Sequence, residues 1–518
     1  MQGLLCRTGV YLKRVPFVYP VMGVVLLIIS SGCARSPEGQ VTILHTNDMH
    51  GQYAPLPALW MDAEPKPLIG GIAALDYYIQ RQKAQAPYVL LLDAGDISTG
   101  TPLSKIVRDG VMGGGYADML NMIGYDAQIF GNHEFDEGQE NLTLLMKRLG
   151  ADVLNANLEV RGALLAEKPY KIFHKGGLRI GVIGLILQDL DQNVALKHLA
   201  DVEVKAPSVV AQQAIDEIDP MTDLIVLLTH EGLENDRELA RKVRHADVIV
   251  GGHSHTRLEK PESENGVLIV QADAKTRYLG RLALTVQDDH VSRYEYELIP
   301  TWVEGAKTPR KEVQALVDHY RTLIDAQYNQ VIGTLQTDWK RYDRGESNIG
   351  NFIADAMRAA TGTDFAVINS GGIRKDVPAG PVTKLDIMEI LPFTNYLVTF
   401  ECTGSQLLTL MQNNARMAVD RDHGILQVSG LHMTFQREKN APATIIAASV
   451  NGRPVQAGSI YTGTTVDFIS FGQALTFFGF EPSGMQNTDV VIADAVAGHI
   501  LKYPQVISRV EGRIIEAH

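Results

Sequence analysis

The amino-acid sequence predicts a layered α/β protein built in two parts, and three observations support this. From residue 41 to about residue 300, short apolar runs alternate with amphipathic stretches, the pattern of buried strands connected by helices. A polar, amphipathic segment at 308–328 follows, with Pro309 near its start, and is typical of a helix. After residue 331 the alternation resumes and continues to the end of the chain.

These patterns divide the chain into four segments. We predict a leader at 1–33, a first α/β domain at 41–305, a linker helix within 306–330 and a second α/β domain at 331–518.

The individual elements follow from the period of the apolar residues. Apolar runs predict buried strands at 41–45, 88–92, 127–130, 180–183, 224–229 and 248–250 in the first domain, and at 365–369, 397–400 and 443–450 in the second. Helical periodicity predicts helices at 71–85, 116–123, 140–149, 209–217 and 348–361.

The composition excludes several classes of protein. Of 518 residues, 45% are hydrophobic and 21% are charged, as in ordinary globular proteins and unlike disordered or fibrous ones. The formal net charge is −13, so no basic surface for a nucleic acid polymer is expected. An acidic protein also cannot attract an anionic substrate over a distance. Any phosphate must therefore be bound locally, by metal ions and a few arginines.

The amino terminus carries a targeting signal. Arg7, Lys13 and Arg14 precede an uncharged run at 15–32, which ends in small residues before Cys33. This is the pattern of a secretory signal, and Ser-Gly-Cys resembles a bacterial lipobox in which Cys33 becomes the lipidated first residue. An uncleaved membrane anchor and ordinary cleavage are the alternatives. All three predict an exported protein, in the periplasm or on the cell surface.

The three cysteines agree with this interpretation. Cys6 lies in the leader and Cys33 is the predicted lipid site, so only Cys402 belongs to the folded part. An intramolecular disulfide is then excluded. Cys402 lies in an apolar stretch without a neighbour that lowers its pKa, which favours a packed thiol over a nucleophile.

Five short motifs in the first domain carry residues that bind metals. They are TNDMHG at 46–51, DAGD at 93–96, GNHEFD at 131–136, LTHEG at 228–232 and GGHSH at 251–255. Each lies at or just after the end of a predicted strand, where loops at the carboxyl ends of strands converge on one crevice. Five such motifs in this order indicate a site for two metal ions, which can hydrolyse a phosphoester without a covalent nucleophile.

The residue types restrict the metals. Carboxylate and imidazole ligands together suit Zn, Mn, Fe or Co better than Ca or Mg. Asp48 and His50 can share one ion and Asp96 is the natural bridging carboxylate, whereas Asp93 is predicted to be structural only. The predicted ligands are Asp48, His50, Asp96, Asn132, His230, His253 and His255. Seven ligands leave open positions for water and phosphate, as a catalytic site requires.

These motifs resemble the calcineurin-like metallophosphoesterases, and within them the bacterial 5′-nucleotidase and UDP-sugar hydrolase family. The resemblance implies a four-layer αββα first domain. It also implies one metal held by Asp48, His50, Asp96 and His255, and a second held by Asp96, Asn132, His230 and His253. His133 resembles the catalytic histidine of the family, with Asp136 holding its ring. His255 stands where the nucleotidases usually have Gln or Asn.

The second domain extends the resemblance. SNIGNFIADAMR from Ser347, INSGGIR at 368–374 and LPFTN at 391–395 resemble the 5′-nucleotidase C-terminal domain, which binds the nucleoside. Arg374 is the best candidate for a substrate contact because a guanidinium can bind phosphate or carboxylate oxygens in pairs; a structural salt bridge is the alternative.

Base recognition departs from the family pattern. Phe468 aligns with one of the two aromatic rings that stack on the base. The usual Gly-Gly-Asp that follows reads Gly472-Gln473-Ala474, and the segment 424–430 has no aromatic residue where the second ring usually lies. Phe471, Phe477 or Phe478 can compensate for the second ring or belong to the core.

The sequence thus predicts an exported, lipid-anchored two-metal hydrolase. Attack of a metal-bound hydroxide would release phosphate from nucleoside 5′-monophosphates, with nucleotide sugars and 2′,3′-cyclic nucleotides as related substrates. Two alternatives stay open: the same centre acting on a non-nucleotide phosphate or sulfur ester, and a catalytically silent surface-binding lipoprotein.

Overall fold

The computed structural model describes residues 39–58, 60–63, 65–420, 424–437 and 443–517. The predicted leader and its lipid site at Cys33 lie outside the described residues. The segment Pro37–His518 forms one compact unit. No helix in the described part of the chain is both long and apolar enough to cross a membrane.

The first half of this unit contains two six-stranded sheets, with one three-stranded sheet and two two-stranded sheets beside them among the described residues. In spatial order, the first sheet contains His290–Pro300, Tyr278–Gln287, Gly39–Thr46, Val89–Asp93, Ala127–Gln128 and Asp152–Val153. The second sheet contains Tyr170–Lys175, Leu178–Ile186, Leu224–His230, Val248–Val250, Val267–Val270 and Glu262–Glu264. The inner strands of both sheets are parallel, so their carboxyl ends share one edge.

Apolar side chains fix the order of the layers. One core, which includes Ile43, Leu92, Val182 and Val226, contains buried side chains from both sheets. Separate cores lie under the helices on the outer face of each sheet. The helices are Ile72–Gln85, Gly114–Ile123, Gly138–Arg148, Pro207–Ile218 and Leu233–Lys242. The predicted four-layer αββα arrangement is confirmed.

The helix Lys311–Tyr328 follows the first domain. It begins three residues later than predicted, after Pro309. Its buried residues, Val313, Val317, Tyr320 and Ile324, recur at helical spacing and pack into the core beneath the helices of the first sheet. The domain boundaries around this helix stay a prediction.

The second half contains three smaller sheets over one core. The five-stranded sheet contains, in spatial order, Leu426–Ser429, Phe365–Asn369, Ile460–Val466, Tyr396–Thr403 and Ser483–Val491. The four-stranded sheet contains Arg453–Pro454, Thr444–Val450, Leu431–Gln436 and Ile514–Ala517. The three-stranded sheet contains Gly380–Thr383, Val331–Leu335 and Gln505–Val506. The helices are Asn348–Thr361, Lys384–Ile390, Gly404–Asp420, Ala474–Phe478 and Ile492–Lys502.

The predicted elements are present with small shifts at their ends. The helix predicted from residue 71 begins at Ile72, because Gly71 has a φ of 84° that a helix does not allow. The strand predicted at 127–130 pairs only over Ala127–Gln128. Its continuation turns at Gly131 into a short helical turn, Asn132–Phe135, that carries two of the predicted site residues.

Candidate metal centre

The seven predicted ligands lie together at the carboxyl ends of the parallel strands. Asp48 and His50 follow Gly39–Thr46, Asp96 follows Val89–Asp93, and His230 is the last residue of Leu224–His230. Asn132 begins the turn after Ala127–Gln128, and His253 and His255 follow Val248–Val250. Ligands from both sheets thus meet at one edge.

In two groups of side chains, the three ligand atoms all lie within 4.8 Å of one another. Asp48, His50 and His255 form the first, with 2.9 Å between the Nε2 atoms of the two imidazoles and 3.3 Å from His255 Nε2 to Asp48 Oδ1. Asp96, His230 and His253 form the second. His230 Nε2 lies 3.2 Å from Asp96 Oδ2.

Asn132 and Asp96 extend these groups. The Asn132 Oδ1 atom lies 3.0 Å from His253 Nδ1 and 3.3 Å from His230 Nε2. Asp96 also belongs to a third group with His50 and His133, so its carboxylate lies between the other two. Carboxylate, imidazole and amide donors that converge in this way fit two divalent cations.

Five of the predicted ligands have a left-handed backbone. The φ angles are 49° at Asp48, 50° at His50, 53° at Asp96, 71° at His253 and 52° at His255. This conformation is uncommon outside glycine and costs about 1–3 kcal/mol at each residue where nothing compensates it. Such strain at one site indicates that the loops are held in shape to present their side chains.

Glycines in the same motifs allow the ligands to approach one another. A Cβ atom on Gly131 would lie 2.3 Å from Asp96 Oδ1 and 2.5 Å from His230 Nε2. A Cβ atom on Gly252 would lie 2.6 Å from the carbonyl oxygen of Ala94 and 2.9 Å from His230 Nδ1. Any larger residue at these positions would displace the cluster.

The ligands also determine one another's charge. Burial alone would raise the pKa of Asp96, but His230, His133 and His50 outweigh it and hold the pKa well below its usual range. Burial lowers the pKa of His253 to about 4, with His230 contributing, and lowers that of His50 well below its usual value. Neutral rings at His253 and His50 keep the lone pairs that metal binding requires. For His230, burial opposes the charged form, but Asp96 outweighs it and raises the pKa to about 10, so a metal ion must displace a proton there.

His133 lies beside the ligands and is held on two sides. Its Nδ1 is 2.8 Å from Asp136 Oδ2, so the Nδ1–H donates to that carboxylate, and Phe393 stacks on its ring with the centroids 5.4 Å apart. The free Nε2 faces Asp96 Oδ2 at 3.9 Å. Burial opposes the charged form, but Asp96 and Asp136 outweigh it and raise the pKa of His133.

Sequence reasoning missed two residues of this centre. The buried carboxylate of Glu134 accepts backbone N–H groups from Gly131 at 2.7 Å, Asp96 at 3.1 Å and Ser98 at 2.8 Å, and so joins two ligand loops. Phe393 comes from the second half of the chain and covers His133. Both residues lie inside motifs already identified in the sequence, GNHEFD and LPFTN. Their positions in these motifs were the only sequence signal that indicated a role in the site.

A cavity of about 550 Å³ opens from the cluster towards the second half of the chain. Arg374 and Phe468 both line it. The Arg374 guanidinium lies 5.9 Å from the Phe393 ring and donates to the carbonyl of Gly371 at 3.3 Å. Burial lowers the pKa of Arg374, which an anion in the cavity would oppose. The structural salt bridge considered for Arg374 is absent among the described residues.

The three alternative aromatic residues have different environments. Phe477 is buried and lines the cavity, whereas Phe478 is fully buried and stacks on Phe400 in the core. Phe471 is 52% exposed and outside the cavity lining. Gln473, which directly precedes Ala474 at the position of the missing Asp, donates from Nε2 to the carbonyl of Asp191 at 2.7 Å.

Two predicted structural residues stay outside the cluster. The buried carboxylate of Asp93 accepts a 2.6 Å hydrogen bond from Thr46 and belongs to none of the ligand groups found among the described residues. Cys402 is buried, and burial raises the pKa of its thiol to about 12. Its environment fits a packed thiol.

Known proteins share this architecture. The family model of the calcineurin-like phosphoesterases matches residues 41–257, and that of the 5′-nucleotidase C-terminal domain matches residues 331–478. The protein called 5NUC from Lutzomyia longipalpis is 30% identical, over 79% of this chain and 79% of its own length. The chain belongs to the 5′-nucleotidase family.

Further relatives cover nearly the whole chain. A 5′-nucleotidase of Vibrio cholerae is 28% identical over 87% of this chain and 90% of its own. The crystal structure of a 5′-nucleotidase precursor from Thermus thermophilus superposes with a TM-score of 0.83 at 28% identity, covering 92% of this chain and 99% of that one. The protein is therefore a hydrolase of the metallophosphoesterase type, a class that uses divalent metals.

Proposed function

We propose that this protein is an exported phosphohydrolase that releases phosphate from nucleoside 5′-monophosphates. One observation carries the proposal. The seven ligand candidates, the His133–Asp136 pair and the substrate candidates Arg374 and Phe468 border the same cavity or the cluster at its base. A metal centre and a nucleotide site in one space are what hydrolysis of a nucleotide requires.

The metal assignment is part of the proposal. Asp48, His50, Asp96 and His255 would hold one divalent ion, and Asp96, Asn132, His230 and His253 the other. Zn, Mn, Co and Fe all suit this donor set. When bound, the two ions supply Lewis-acid stabilisation of the phosphate and lower the pKa of the attacking water.

His133 would act on the leaving group. Its Nδ1–H is engaged by Asp136, so Nε2 is the atom that faces the cluster. The carboxylates around it raise its pKa, which favours a protonated ring that can stabilise negative charge or donate a proton to the leaving oxygen. Phe393 restricts the ring to this orientation.

Arg374 and Phe468 would bind the two ends of the substrate. Arg374 has no carboxylate partner among the described residues and lies near the cluster, where a phosphate would be. Phe468 is half-buried against the core of the second half and lines the cavity, so its ring can stack on a base. Phe477, also in the lining, is the better candidate for a second ring than Phe471 or Phe478.

Export and anchoring are proposed from the sequence alone. The leader pattern and Cys33 support a lipoprotein of the periplasm or cell surface. Labelling with a radioactive or alkyne-bearing fatty acid, compared between the native protein and Cys33→Ala, tests the anchor.

Phosphate release from the purified protein tests the activity. The assay supplies Mn, Co or Zn and offers AMP, UMP, UDP-glucose, 2′,3′-cyclic AMP and bis-4-nitrophenyl phosphate. We expect AMP and UMP to be hydrolysed well above the generic diester, and His133→Ala to lose about 10²–10⁴-fold in kcat while retaining its metals. His245→Ala, which changes an exposed histidine remote from the cluster, is the matched control.

The same assay separates the alternatives. Turnover of the generic ester without turnover of any nucleotide would favour a non-nucleotide phosphate or sulfur ester as substrate. Purified protein that holds no metal and hydrolyses nothing would favour the silent surface-binding protein.

A further inference from the structure

Lys275 connects the metal-binding half of the chain to the loop that carries Arg374. Its Nζ atom donates to the carbonyl oxygen of Arg374 at 3.3 Å, and its backbone N–H donates to the carbonyl oxygen of Asp48 at 2.8 Å. One residue therefore contacts both the loop of a predicted metal ligand and the backbone of the predicted substrate-binding arginine. Lys275 is not part of the cavity lining, so it can act on a ligand there only through a neighbour such as Arg374.

The loop that carries Lys275 has an uncommon backbone shape. Asp273, Lys275 and Thr276 have φ angles of 60°, 56° and 58°, in the left-handed region that residues other than glycine seldom adopt. Hydrogen bonds hold this loop on both sides of Lys275. Asn47 Nδ2 donates to the carbonyl of Asp273 at 2.6 Å, and the N–H of Gly71 donates to Thr276 Oγ1 at 2.8 Å. Strain that neighbours maintain in this way indicates a loop that presents its side chain in a fixed direction.

The backbone of Arg374 is held from both halves of the chain. Its N–H donates to the carbonyl of Ile390 at 2.8 Å, within the second half, and its carbonyl accepts the Lys275 ammonium from the first half. The guanidinium lines the cavity and donates to Gly371 in its own loop. Among the described residues, the Lys275 contact is thus the one hydrogen bond between Arg374 and the half that carries the metal ligands.

The charge of Lys275 has no carboxylate partner. Among the described residues Lys275 forms no salt bridge, and Glu389, which opposes the effect of burial on it, pairs with Lys375. Burial, with Arg374 and Arg341 contributing, lowers the pKa of Lys275 to about 7. The side chain therefore does not serve to balance an acidic neighbour. Its hydrogen bond to Arg374 is the only one that it makes in the described part of the chain.

We propose that Lys275 is a positioning residue, which fixes the backbone of Arg374 against the metal-binding half and so orients the guanidinium towards a phosphate at the cluster. The proposal rests on the proposed function only in that a phosphate binds at the cluster, whatever the rest of the substrate is. Loss of the Lys275 ammonium should then weaken the binding of phosphate and leave the metal ions in place.

The affinity for inorganic phosphate tests this role, because phosphate is a product of every phosphomonoester. Full-length protein with its best metal is assayed on AMP and 4-nitrophenyl phosphate at increasing concentrations of inorganic phosphate. Lys275→Met keeps the aliphatic stem and removes the donor. We expect it to raise the Ki for phosphate and the KM for both substrates about tenfold, equivalent to about 1.4 kcal/mol, while kcat changes much less. Lys275→Arg, which keeps a charged donor, should restore most of the affinity.

A double-mutant cycle shows whether Lys275 acts through Arg374. In an Arg374→Met background the group that Lys275 positions is missing, so Lys275→Met should raise the Ki for phosphate by a further factor of only about two or less. A second full tenfold rise would mean that Lys275 acts on phosphate independently of Arg374, and would overturn the positioning role.

Lys83→Met is the matched control. Lys83 Nζ also donates to backbone carbonyl oxygens, those of Ile123 at 3.5 Å and Gly124 at 3.3 Å, but it is outside the cavity lining. This variant should leave the Ki and KM unchanged. An equal rise in Lys83→Met would assign the effect to the loss of any such lysine and overturn the inference.

The remaining outcomes separate the inference from the proposed function. Lys275→Met protein with native metal content and an unchanged Ki for phosphate would overturn the inference and leave the hydrolase in place. If Lys275→Met does not fold, Lys275→Gln, which keeps a shorter polar side chain, carries the same expectation. If the native protein hydrolyses neither substrate, the proposed function fails, and calorimetry of inorganic phosphate binding decides the role of Lys275. Native protein that also binds no phosphate would overturn both.

Discussion

The ligand cluster and the opposite wall of the cavity are built in different ways. In the cluster, the ligand atoms of each group lie within 4.8 Å of one another, left-handed backbone recurs at five ligands, and glycines provide the space between them. On the opposite wall, the carboxamides of Gln192, Asn369 and Asn395 have no intramolecular partner among the described residues. The polar groups of the cluster contact one another, whereas the carboxamides of the opposite wall remain available to bind a ligand.

This difference follows from what each region has to do. Metal ions require fixed donors at short distances, so the surrounding shell must hold each ligand rigidly. Substrate recognition requires donors and acceptors that become satisfied only when the substrate is present. Substitutions in the cluster should therefore affect metal binding and turnover together, whereas substitutions in the wall should affect the choice of substrate.

The largest effect on metal binding is expected from Gly131→Ala. Its Cβ would lie 2.3 Å from Asp96 Oδ1, so the shared carboxylate must move, and we expect at least about a 10–100-fold loss of metal affinity and activity. Elemental analysis and turnover of AMP measure both. Gly458→Ala, where a Cβ would meet nothing within 4 Å, is the control. Full metal content and activity in Gly131→Ala would contradict the rigid description of the cluster.

Phe468→Ala should have a smaller effect, which is limited to the binding of the substrate. Stacking on a base contributes about 1–3 kcal/mol, so KM for AMP should rise about tenfold or more, while KM for ribose 5-phosphate, which has no base, should change much less. Phe471→Ala, on a ring outside the cavity lining, is the matched control. An equal rise for both substrates would mean that Phe468 shapes the cavity rather than binds the base.

The metal cluster could be predicted from the sequence because each ligand lies in a short motif that can be identified without knowledge of distant contacts. Each motif directly follows an apolar strand, and the parallel strands bring their carboxyl ends together whatever the distance along the chain. Asp48, Asp96, His230 and His253 therefore lie where the motifs predicted them. Asp93, interpreted as structural because Asp96 fits the bridging role better, belongs to none of the ligand groups found among the described residues.

The opposite wall of the cavity could not be predicted because it depends on contacts between residues that are far apart in the sequence. Gln192 and Lys197 come from a loop of the first half that carries no motif, and Lys197 meets Asp467 across 270 positions of sequence. Whether Arg374 has a partner, or whether Phe477 rather than Phe478 lines the cavity, depends on how the two halves pack. Phe477 and Phe478 are identical neighbours in the sequence and both are buried, yet only Phe477 lines the cavity.

The smallest expected effect is on the free energy of unfolding. It tests whether a cationic partner determines how much a buried carboxylate destabilises the fold. Asp247 and Asp223 each precede a strand of the second sheet, at the end away from the metal ligands. Burial raises the pKa of Asp247 to about 6 from an ordinary 3.8. Hydrogen bonds from Arg179 lower that of Asp223. The two carboxylates therefore provide a pair with and without a cationic partner.

Asp247→Asn should increase stability only where Asp247 is ionised. Since the folded protein binds this proton more tightly than the unfolded chain, the free energy of unfolding falls as the pH rises from about 4 to 6 and stays lower above that. The variant, which keeps an acceptor for the Ile225 N–H, should gain roughly 1–2 kcal/mol of unfolding free energy at pH 7–8, discounted for partial exposure, and nothing below pH 4.

Asp223→Asn should instead lose stability at pH 7. Arg179 lowers the pKa of Asp223 in the folded protein, so the ionised carboxylate stabilises the fold at every pH above the pKa of Asp in the unfolded chain. Urea unfolding at pH 4 and pH 7.5 measures both, and a loss of stability in Asp247→Asn at the higher pH would show that burial costs this carboxylate nothing.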